Sequence, residues 1–242
     1  MPDPHVPEER LFISIATYDE ADNIVPLLEG VLAAVPAAHV VVVDDNSPDG
    51  TGDLVAALAE RRPSVHLIRR AGKLGYATAH LEGMRLGLER GASLLGTMDA
   101  DFSHDPAALP SLLAATADAD LVIGSRYVEG GGVVNWPWYR VALSRAGGTF
   151  ARTMLRLPVR DPTGGYRVYR ADLLQRIRLE ELRAEGYAFL IESLYRCLQA
   201  GARIREVPIT FADRERGRSK ISKRIIAESF CTVLRLAVRP RS

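Results

Sequence analysis

The sequence predicts an α/β fold in which helices flank a mainly parallel sheet, and two observations carry that prediction. The run Val40–Val43 places four β-branched residues in a row, which is typical of a strand buried on both faces. Short apolar runs then alternate with amphipathic stretches from residue 11 to about residue 125, which indicates β-α units joined by right-handed crossovers. With 242 residues, 47% hydrophobic and 25% charged, the composition is that of an ordinary globular protein.

The periodicity places the elements in order along the chain. We expect strands at 11–16, 40–43, 65–69, 94–98 and 121–124, with helices at about 23–35, 51–61, 77–90 and from 106 onward. Beyond residue 125 we expect a glycine-rich loop at 129–134, helices at about 139–155 and 189–200, a short strand after 166, and an edge strand at 203–211. An amphipathic, basic helix over 221–238 ends the chain, so we divide it into a main domain, residues 1–220, and a C-terminal segment, residues 221–242.

Composition and charge exclude several classes of protein. Cys197 and Cys231 are the only cysteines and lack a metal-ligand spacing, which suits a reducing compartment. We expect no signal peptide and no membrane-spanning segment, because no apolar run reaches the ~18 residues that a span needs. Residues 1–60 hold twelve acidic residues and one basic residue, whereas residues 203–242 hold eleven basic and four acidic ones. The basic end indicates an anionic partner, with a merely solvated surface as the alternative.

Acidic pairs follow two of the predicted strands. Asp44 and Asp45 end the valine run, and Asp99 and Asp101 end the strand at 94–98. Ligands of open α/β sheets bind at the carboxyl ends of the strands, so both pairs fall where a ligand would lie. Two carboxylates converging on one cation suit Mg²⁺ or Mn²⁺ beside a diphosphate. The alternative for Asp44 and Asp45 is a structural turn or a helix cap, and for Asp99 and Asp101 it is an ordinary acidic loop.

Six motifs together resemble one enzyme family over residues 12–220. They are TYDEADN, VVVDDNSPDGT, GKLGYATA, MDADFSHDP, GSRYVEGGG and VPITFADRERGRSK. The chain resembles the polyprenol (dolichyl) phosphate mannose synthases, inverting glycosyltransferases of the family 2 type with the GT-A fold. The resemblance implies that residues 1–220 form a GT-A glycosyltransferase domain, Rossmann-like in its sheet.

The resemblance also implies roles for individual residues. Donor-binding positions are matched by Ala16, Tyr18, Glu20, Val43, Asp45, Asp99, Ala100, Asp101, Arg214 and Lys220. Metal positions are matched by Asp99, Asp101 and, as in some members, Ser103. The acceptor phosphate is expected to contact Arg126, Arg140 and Ser144, with Asp101 and Arg126 the two residues expected to matter most for catalysis. The sequence departs from the family pattern at Ala16, Asp19, Tyr76-Ala77 and Leu190.

The implied activity is metal-dependent transfer of mannose from GDP-mannose to a polyprenyl phosphate with inversion, giving a β-linked product. A UDP-sugar donor such as UDP-glucose is an alternative, and a non-catalytic nucleotide-binding subunit of a membrane assembly is a more distant one. Nucleic acid is not expected as a partner, because the basic end lacks interleaved stacking aromatics. We expect a peripheral location on the cytoplasmic face of a membrane, reached through the C-terminal helix or through a membrane-anchoring subunit.

Overall fold

A seven-stranded sheet forms the centre of the fold. The computed structural model describes residues 10–182, 184, 186–213 and 223–238. The strands of this sheet are β1 (Leu11–Thr17), β2 (His39–Asp44), β3 (Val65–Arg69), β4 (Leu94–Asp99), β5 (Leu121–Ser125), β7 (Arg167–Arg170) and β8 (Ile204–Pro208). Two short strands, β6 (Gly132–Val134) and β9 (Thr210–Ala212), pair in parallel as a second sheet.

The order of the main sheet brings several strand ends to one edge. Its order is β3-β2-β1-β4-β7-β5-β8. β7 runs antiparallel to both of its neighbours, and the other pairings are parallel. Because β7 is reversed, it begins at the edge where the parallel strands end. This edge therefore collects the ends of β1, β2, β4 and β5 together with the loop that enters β7.

Eight helices follow the strands within the described residues. They are α1 (Ala21–Ala34), α2 (Thr51–Ala59), α3 (Tyr76–Glu89), α4 (Leu109–Ala114), α5 (Trp138–Leu155), α6 (Ala171–Arg176), α7 (Gly186–Gln199) and α8 (Lys223–Val238). Short 3₁₀ turns lie at Pro106–Ala108, Ala115–Ala117 and Leu179–Glu181.

Hydrophobic layers on both faces of the sheet explain the valine run. Val41 and Val43 belong to one buried cluster, and Val40 and Val42 belong to the other. All four side chains are fully buried. Since successive side chains of a strand point to opposite faces, a strand covered on both sides must be apolar at every position. The prediction of a mainly parallel sheet between helices is therefore confirmed.

Several predicted boundaries shift in the structure. The strand expected over 203–211 is two strands, β8 in the main sheet and β9 in the second sheet, with Ile209 between them. β8 lies at the sheet edge, as its alternating pattern predicts. The glycine-rich loop at 129–134 contains β6, and α6 falls where no helix is predicted. The helix predicted over 221–238 is described from Lys223 onward.

The last helix, α8, packs one face against α5 and α7. Val233 and Leu236 are buried in the core on that face, and the ring of Phe230 stacks on Phe150 with centroids 4.6 Å apart. Val238 remains 84% exposed on the other side. Among the residues described, no helix has both the length and the apolar character needed to cross a membrane.

Candidate active site

A cavity of about 390 Å³ opens at the sheet edge where the strand ends meet. Its wall takes residues from the ends of β1, β2, β4 and β5, from the start of α3 and from the loop before β7. The predicted site residues that line it are Ala16, Tyr18, Glu20, Asp45, Asp99, Ala100, Asp101 and Arg126. The topology thus joins positions that lie far apart in sequence.

Tyr18 and Glu20, on the loop after β1, form one side of the cavity. The ammonium of Lys73, which also lines the cavity, lies 3.7 Å from the centroid of the Tyr18 ring. A cation over a ring at this distance is attracted by the ring quadrupole, and Lys73 brings positive charge to the cavity wall. The Glu20 carboxylate accepts a hydrogen bond from the side chain of Asn23 (2.9 Å), so it also supports the start of α1.

The two acids after β2 have different roles. Asp44 accepts hydrogen bonds from the Thr17 hydroxyl (2.9 Å) and from the backbone N–H and hydroxyl of Ser47, which makes it the structural acid of the turn. Asp45 faces the cavity, accepts from the Gly75 N–H (3.0 Å) and pairs with Arg70 (2.8 Å). The alternative of a structural turn therefore holds for Asp44, while Asp45 lies at the candidate site.

Val43 lies elsewhere than at the cavity wall. Its side chain is fully buried in the core, beneath Gly83 of α3, where a Cβ would meet it at 3.2 Å. The donor contact predicted for Val43 therefore stays a prediction, and it would have to be made by the backbone of this residue.

Asp99 and Asp101 reach the cavity through a tight turn. Phe102 adopts a left-handed φ of 60°, and the Ser103 N–H donates to the Asp101 carboxylate (3.1 Å). The Asp99 carboxylate accepts from the Tyr76 hydroxyl (3.2 Å). Ser103 is 2% exposed and is absent from the cavity lining, so the structure does not bring it to the cavity with the two acids.

The two carboxylates fit a divalent cation by their chemistry. Both are hard oxygen donors on one cavity wall, the type of ligand that Mg²⁺ and Mn²⁺ prefer. In the part of the chain that the structure describes, no group of three or more His, Cys, Asp or Glu side chains forms a complete metal cage. A pair of carboxylates that leaves the remaining positions to water or phosphate is how such sites commonly bind Mg²⁺.

His104 positions the turn and lies against the acids. Its Nδ1 accepts a hydrogen bond from the Asp99 backbone N–H (3.0 Å), and its Nε2 lies 3.8 Å from the Asp99 carboxylate. Burial lowers the pKa of His104, although the charges of Asp99 and Asp101 oppose that effect. A neutral ring with Nδ1 accepting carries its proton on Nε2.

Arg126, just after β5, is locked into a buried ion pair. Its Nε and Nη2 both donate to the Asp161 carboxylate at 2.7 Å, and its backbone N–H donates to the same group at 3.0 Å. Nη2 also donates to the Thr163 hydroxyl (2.9 Å). Arg126 is 6% exposed and Asp161 is fully buried, so water screens the pair little. The ion pair of Arg126 is therefore buried and bidentate rather than a surface pair.

Glu206 of β8 holds the partner of that pair in place. Its two carboxylate oxygens accept from the backbone N–H groups of Arg160 (2.7 Å) and Asp161 (2.8 Å). Aromatic rings enclose the guanidinium from other directions, with the centroids of Trp136 and Phe211 at 5.6 Å and 5.4 Å from the Arg126 Cζ. Arg126 therefore has one well-defined orientation at the cavity wall.

Arg140 and Ser144, both on α5, do not line the cavity. Arg140 pairs with Asp213 (2.8 Å) and its Cζ lies 4.1 Å from the Trp136 ring centroid. Ser144 accepts from the hydroxyl of Tyr127 at 2.7 Å. The Trp136 ring is thus near both of the arginines predicted to bind the acceptor phosphate. Arg214 and Lys220, the predicted donor-closing residues, lie outside the described residues.

The loop before β7 forms the cavity wall beside Asp99. Gly164 and Gly165 line the cavity, and a Cβ on Gly164 would lie 2.9 Å from the backbone oxygen of Gly124. The fully buried Arg167 donates to the backbone oxygens of Pro162 and Gly164 (2.9 and 2.7 Å), which fixes this loop from below. Close packing leaves no room for side chains at these glycines.

Sequence reasoning assigned no role to several residues of this site. These residues are Lys73 and Tyr76 of the GKLGYATA motif and Asp161 and Thr163 of the loop before β7, and their partners are distant in sequence. The Asp-Pro-Thr-Gly-Gly segment offered one signal, because a carboxylate in a glycine-rich loop between two regular elements is a typical site position.

Comparisons with known proteins identify the family of the chain. Residues 12–178, more than half of the chain, match the family described as Glycosyl transferase family 2. The chain is 47% identical over 232 residues to an undecaprenyl-phosphate mannosyltransferase of Micrococcus luteus, covering 96% of each chain. It is 46% identical over 238 residues to a polyprenol monophosphomannose synthase of Mycolicibacterium smegmatis, covering 97% of this chain and 89% of the relative.

A solved structure supports the fold. The mannosyltransferase PcManGT from Pyrobaculum calidifontis, in complex with GDP-Man and Mn²⁺, superposes with a TM-score of 0.62 at 20% identity, covering 97% of this chain and 66% of that one. This likeness confirms the predicted GT-A-like α/β fold. With the family match over residues 12–178 and the two relatives near half identity, the chain belongs to glycosyl transferase family 2.

Proposed function

We infer that this chain transfers mannose from GDP-mannose to a polyprenyl phosphate with inversion at the anomeric carbon. The observation that carries the proposal is a cavity lined by the Asp-Ala-Asp acids and by Arg126, where a nucleotide diphosphate and an acceptor phosphate can meet. The relatives near half identity are named for mannosyl transfer to undecaprenyl or polyprenol phosphate, which supports the choice of sugar and acceptor.

The acceptor requires no general base. A phosphate monoester has a second pKa of about 6, so it is largely a dianion at neutral pH and is already a nucleophile. The nearby His104 is ill suited to take a proton, because its Nδ1 already accepts a hydrogen bond from the backbone. The proposed reaction is therefore in-line attack of a phosphate oxygen on the anomeric carbon, breaking its bond to the diphosphate oxygen.

Charge placement is the main task of the protein in this reaction. Arg126, which the two-point pair with Asp161 holds in one orientation, is proposed to attract the acceptor phosphate by its charge, and Arg140 is proposed to assist. Asp99 and Asp101 are proposed to hold Mg²⁺ or Mn²⁺, which stabilises the negative charge of the departing diphosphate when bound. Lys73 adds a fixed positive charge near Tyr18.

The donor test compares two nucleotide sugars. The protein is incubated with polyprenyl phosphate, Mg²⁺ and either labelled GDP-mannose or labelled UDP-glucose, and label in the extracted lipid is counted. We expect label from GDP-mannose. Label only from UDP-glucose would replace mannose by another sugar, and label from neither donor would favour a non-catalytic subunit.

We propose that the chain works at a membrane surface, since the lipid tail of the acceptor cannot leave the bilayer. Apolar side chains exposed on α8, Phe230, Leu234 and Val238, support this proposal, as do the basic residues before them in sequence. The cytoplasmic face is proposed because both cysteines are free thiols.

Co-sedimentation with anionic vesicles at low salt tests this proposal. We expect binding that high salt weakens. A full chain that stays in the supernatant would assign docking to a membrane-anchoring subunit instead.

A further inference from the structure

We propose that Tyr76 is a positioning residue that orients the Asp99 carboxylate for the divalent cation. The inference rests on the proposed function, because it concerns the same Asp-Ala-Asp site. Tyr76 is the first residue of α3 and lines the cavity. Its side chain reaches from the helix to the end of β4, where its hydroxyl donates to one Asp99 oxygen at 3.2 Å.

The two acids of the motif differ in how the fold constrains them. Asp101 is 6% exposed and accepts from the Ser103 backbone N–H within its own turn. The Asp99 side chain is 28% exposed, and its contacts include the hydroxyl of Tyr76, which lies 23 positions earlier in the sequence. Tyr76 donates to Oδ1, and the Nε2 of His104 lies 3.8 Å from Oδ2. The Tyr76 hydroxyl therefore helps to set the orientation of the Asp99 carboxylate.

The side chain of Tyr76 is itself fixed by its contacts with His80 and Gly165. Its ring packs edge-on against His80 with centroids 4.4 Å apart, and the Nδ1 of His80 lies 3.2 Å from the Ser14 hydroxyl. A Cβ placed on Gly165 would lie 2.9 Å from the Tyr76 hydroxyl oxygen, closer than real Cβ contacts allow. The hydroxyl is thus fixed between Asp99 and the glycine wall, with little freedom to rotate away.

A rigid donor beside a metal-binding carboxylate has a known type of effect. It fixes the rotamer of the ligand before the cation arrives, and loss of such a partner typically weakens metal affinity about tenfold or more. The Tyr76 hydroxyl donates a hydrogen bond to one oxygen of Asp99, and this bond restricts rotation of the carboxylate. We therefore expect Tyr76 to act on metal binding without touching the acceptor.

Removal of one oxygen atom tests the proposal. The affinity of the protein for GDP is measured by titration calorimetry in Mn²⁺ and again in EDTA, and the ratio of the two affinities reports the contribution of the metal. In Tyr76→Phe we expect that ratio to fall about tenfold, with the affinity in EDTA within about twofold of the parent.

Tyr127→Phe is the matched control. It also removes one hydroxyl with one hydrogen bond, but its partner Ser144 lies at the predicted acceptor end. We expect its Mn²⁺ ratio to equal that of the parent.

A double-mutant cycle with Gly165→Ala separates positioning from general damage. The new methyl group must displace the Tyr76 hydroxyl, so Gly165→Ala alone should lower the Mn²⁺ ratio. In the Tyr76→Phe background the remaining contacts of that methyl group are His104 Cε1 at 3.5 Å and Asp99 Oδ1 at 3.8 Å, both ordinary distances, and the substitution should have no further effect on the ratio.

The outcomes are distinguishable. If Mn²⁺ strengthens GDP binding in the parent protein and does so equally in Tyr76→Phe, this inference is overturned and the proposed function stays intact. A parent ratio of one removes the metal from the proposed function and this inference with it. Additive effects of the two substitutions would also overturn the positioning role.

Discussion

Removal of the Asp161 carboxylate should reveal how strongly the fold depends on the Arg126–Asp161 pair. Asp161→Ala leaves the Nε and Nη2 donors of Arg126 without their acceptor at a site that is 6% exposed. Burial alone raises the pKa of Asp161, but the hydrogen bonds and charge of Arg126 outweigh it and hold that pKa below its usual value. The pair therefore favours the folded state.

The expected loss of folding stability arises because the buried guanidinium of Arg126 is left without its ion-pair partner. Breaking a buried ion pair by removing one partner typically costs about 3–5 kcal/mol, and a domain of ordinary stability has only about 5–15 kcal/mol in total. Asp53→Ala is the matched control, because the Asp53–Arg69 pair has a similar distance of 2.6 Å but side chains that are 51% exposed or more. We expect that control to lose less than about 1 kcal/mol.

Urea unfolding followed by circular dichroism measures both losses, and the variants Arg126→Ala and Arg126→Ala/Asp161→Ala complete a double-mutant cycle with Asp161→Ala. We expect the double variant to be less destabilised than the sum of the single variants, since each single change strands the other partner. The linkage sign gives a second test. Because the folded pKa of Asp161 is depressed, its contribution is present above the ordinary carboxyl pKa of about 4 and is lost as the pH falls below it. An Asp161→Ala loss under about 1 kcal/mol, or simple additivity, would refute this reasoning.

Three further predictions concern the metal, the acceptor and a buried histidine. Asp101→Ala should abolish turnover with an unchanged circular dichroism spectrum, and near-normal turnover of this variant in excess EDTA would contradict the role of the cation. Arg126→Lys should lower kcat/KM for the lipid acceptor because lysine cannot keep the two-point pair with Asp161 that orients the charge, and an unchanged rate would mean that Arg126 does not bind the phosphate. Burial lowers the pKa of His80 to about 3, so folding should lose about 2 kcal/mol between pH 6.5 and pH 5 through this group. His80→Asn should remove that part of the pH dependence of urea unfolding, and identical slopes in both proteins would contradict it.

Local pattern carried the prediction of the fold. The valine run and the β-α alternation are patterns of apolar and polar residues, which a sequence displays directly. The parallel strand pairs confirm both predictions, and the family match confirms the resemblance. The place of β7 could not be predicted, because a four-residue strand gives no sign of which neighbours it pairs with or in which direction.

The candidate site divides in a similar way. Residues at strand ends, such as Asp45 and Asp99, reach the cavity because topology alone brings them there. Partners in space are not written in the sequence, so Asp161, 35 positions from Arg126, and Tyr76, 23 positions from Asp99, received no role. Neighbouring acids also cannot be told apart by pattern, since only the hydrogen bonds of Asp44 reveal it as a turn residue.

The anomeric configuration of the product tests the central claim most directly. The protein is incubated with GDP-mannose, polyprenyl phosphate and Mg²⁺, and the mannolipid is purified and examined by NMR. A single displacement at the α-linked donor by the acceptor phosphate predicts a β-mannosyl phosphate. An α-mannosyl product, or release of free mannose in place of a lipid product, would contradict the proposed reaction.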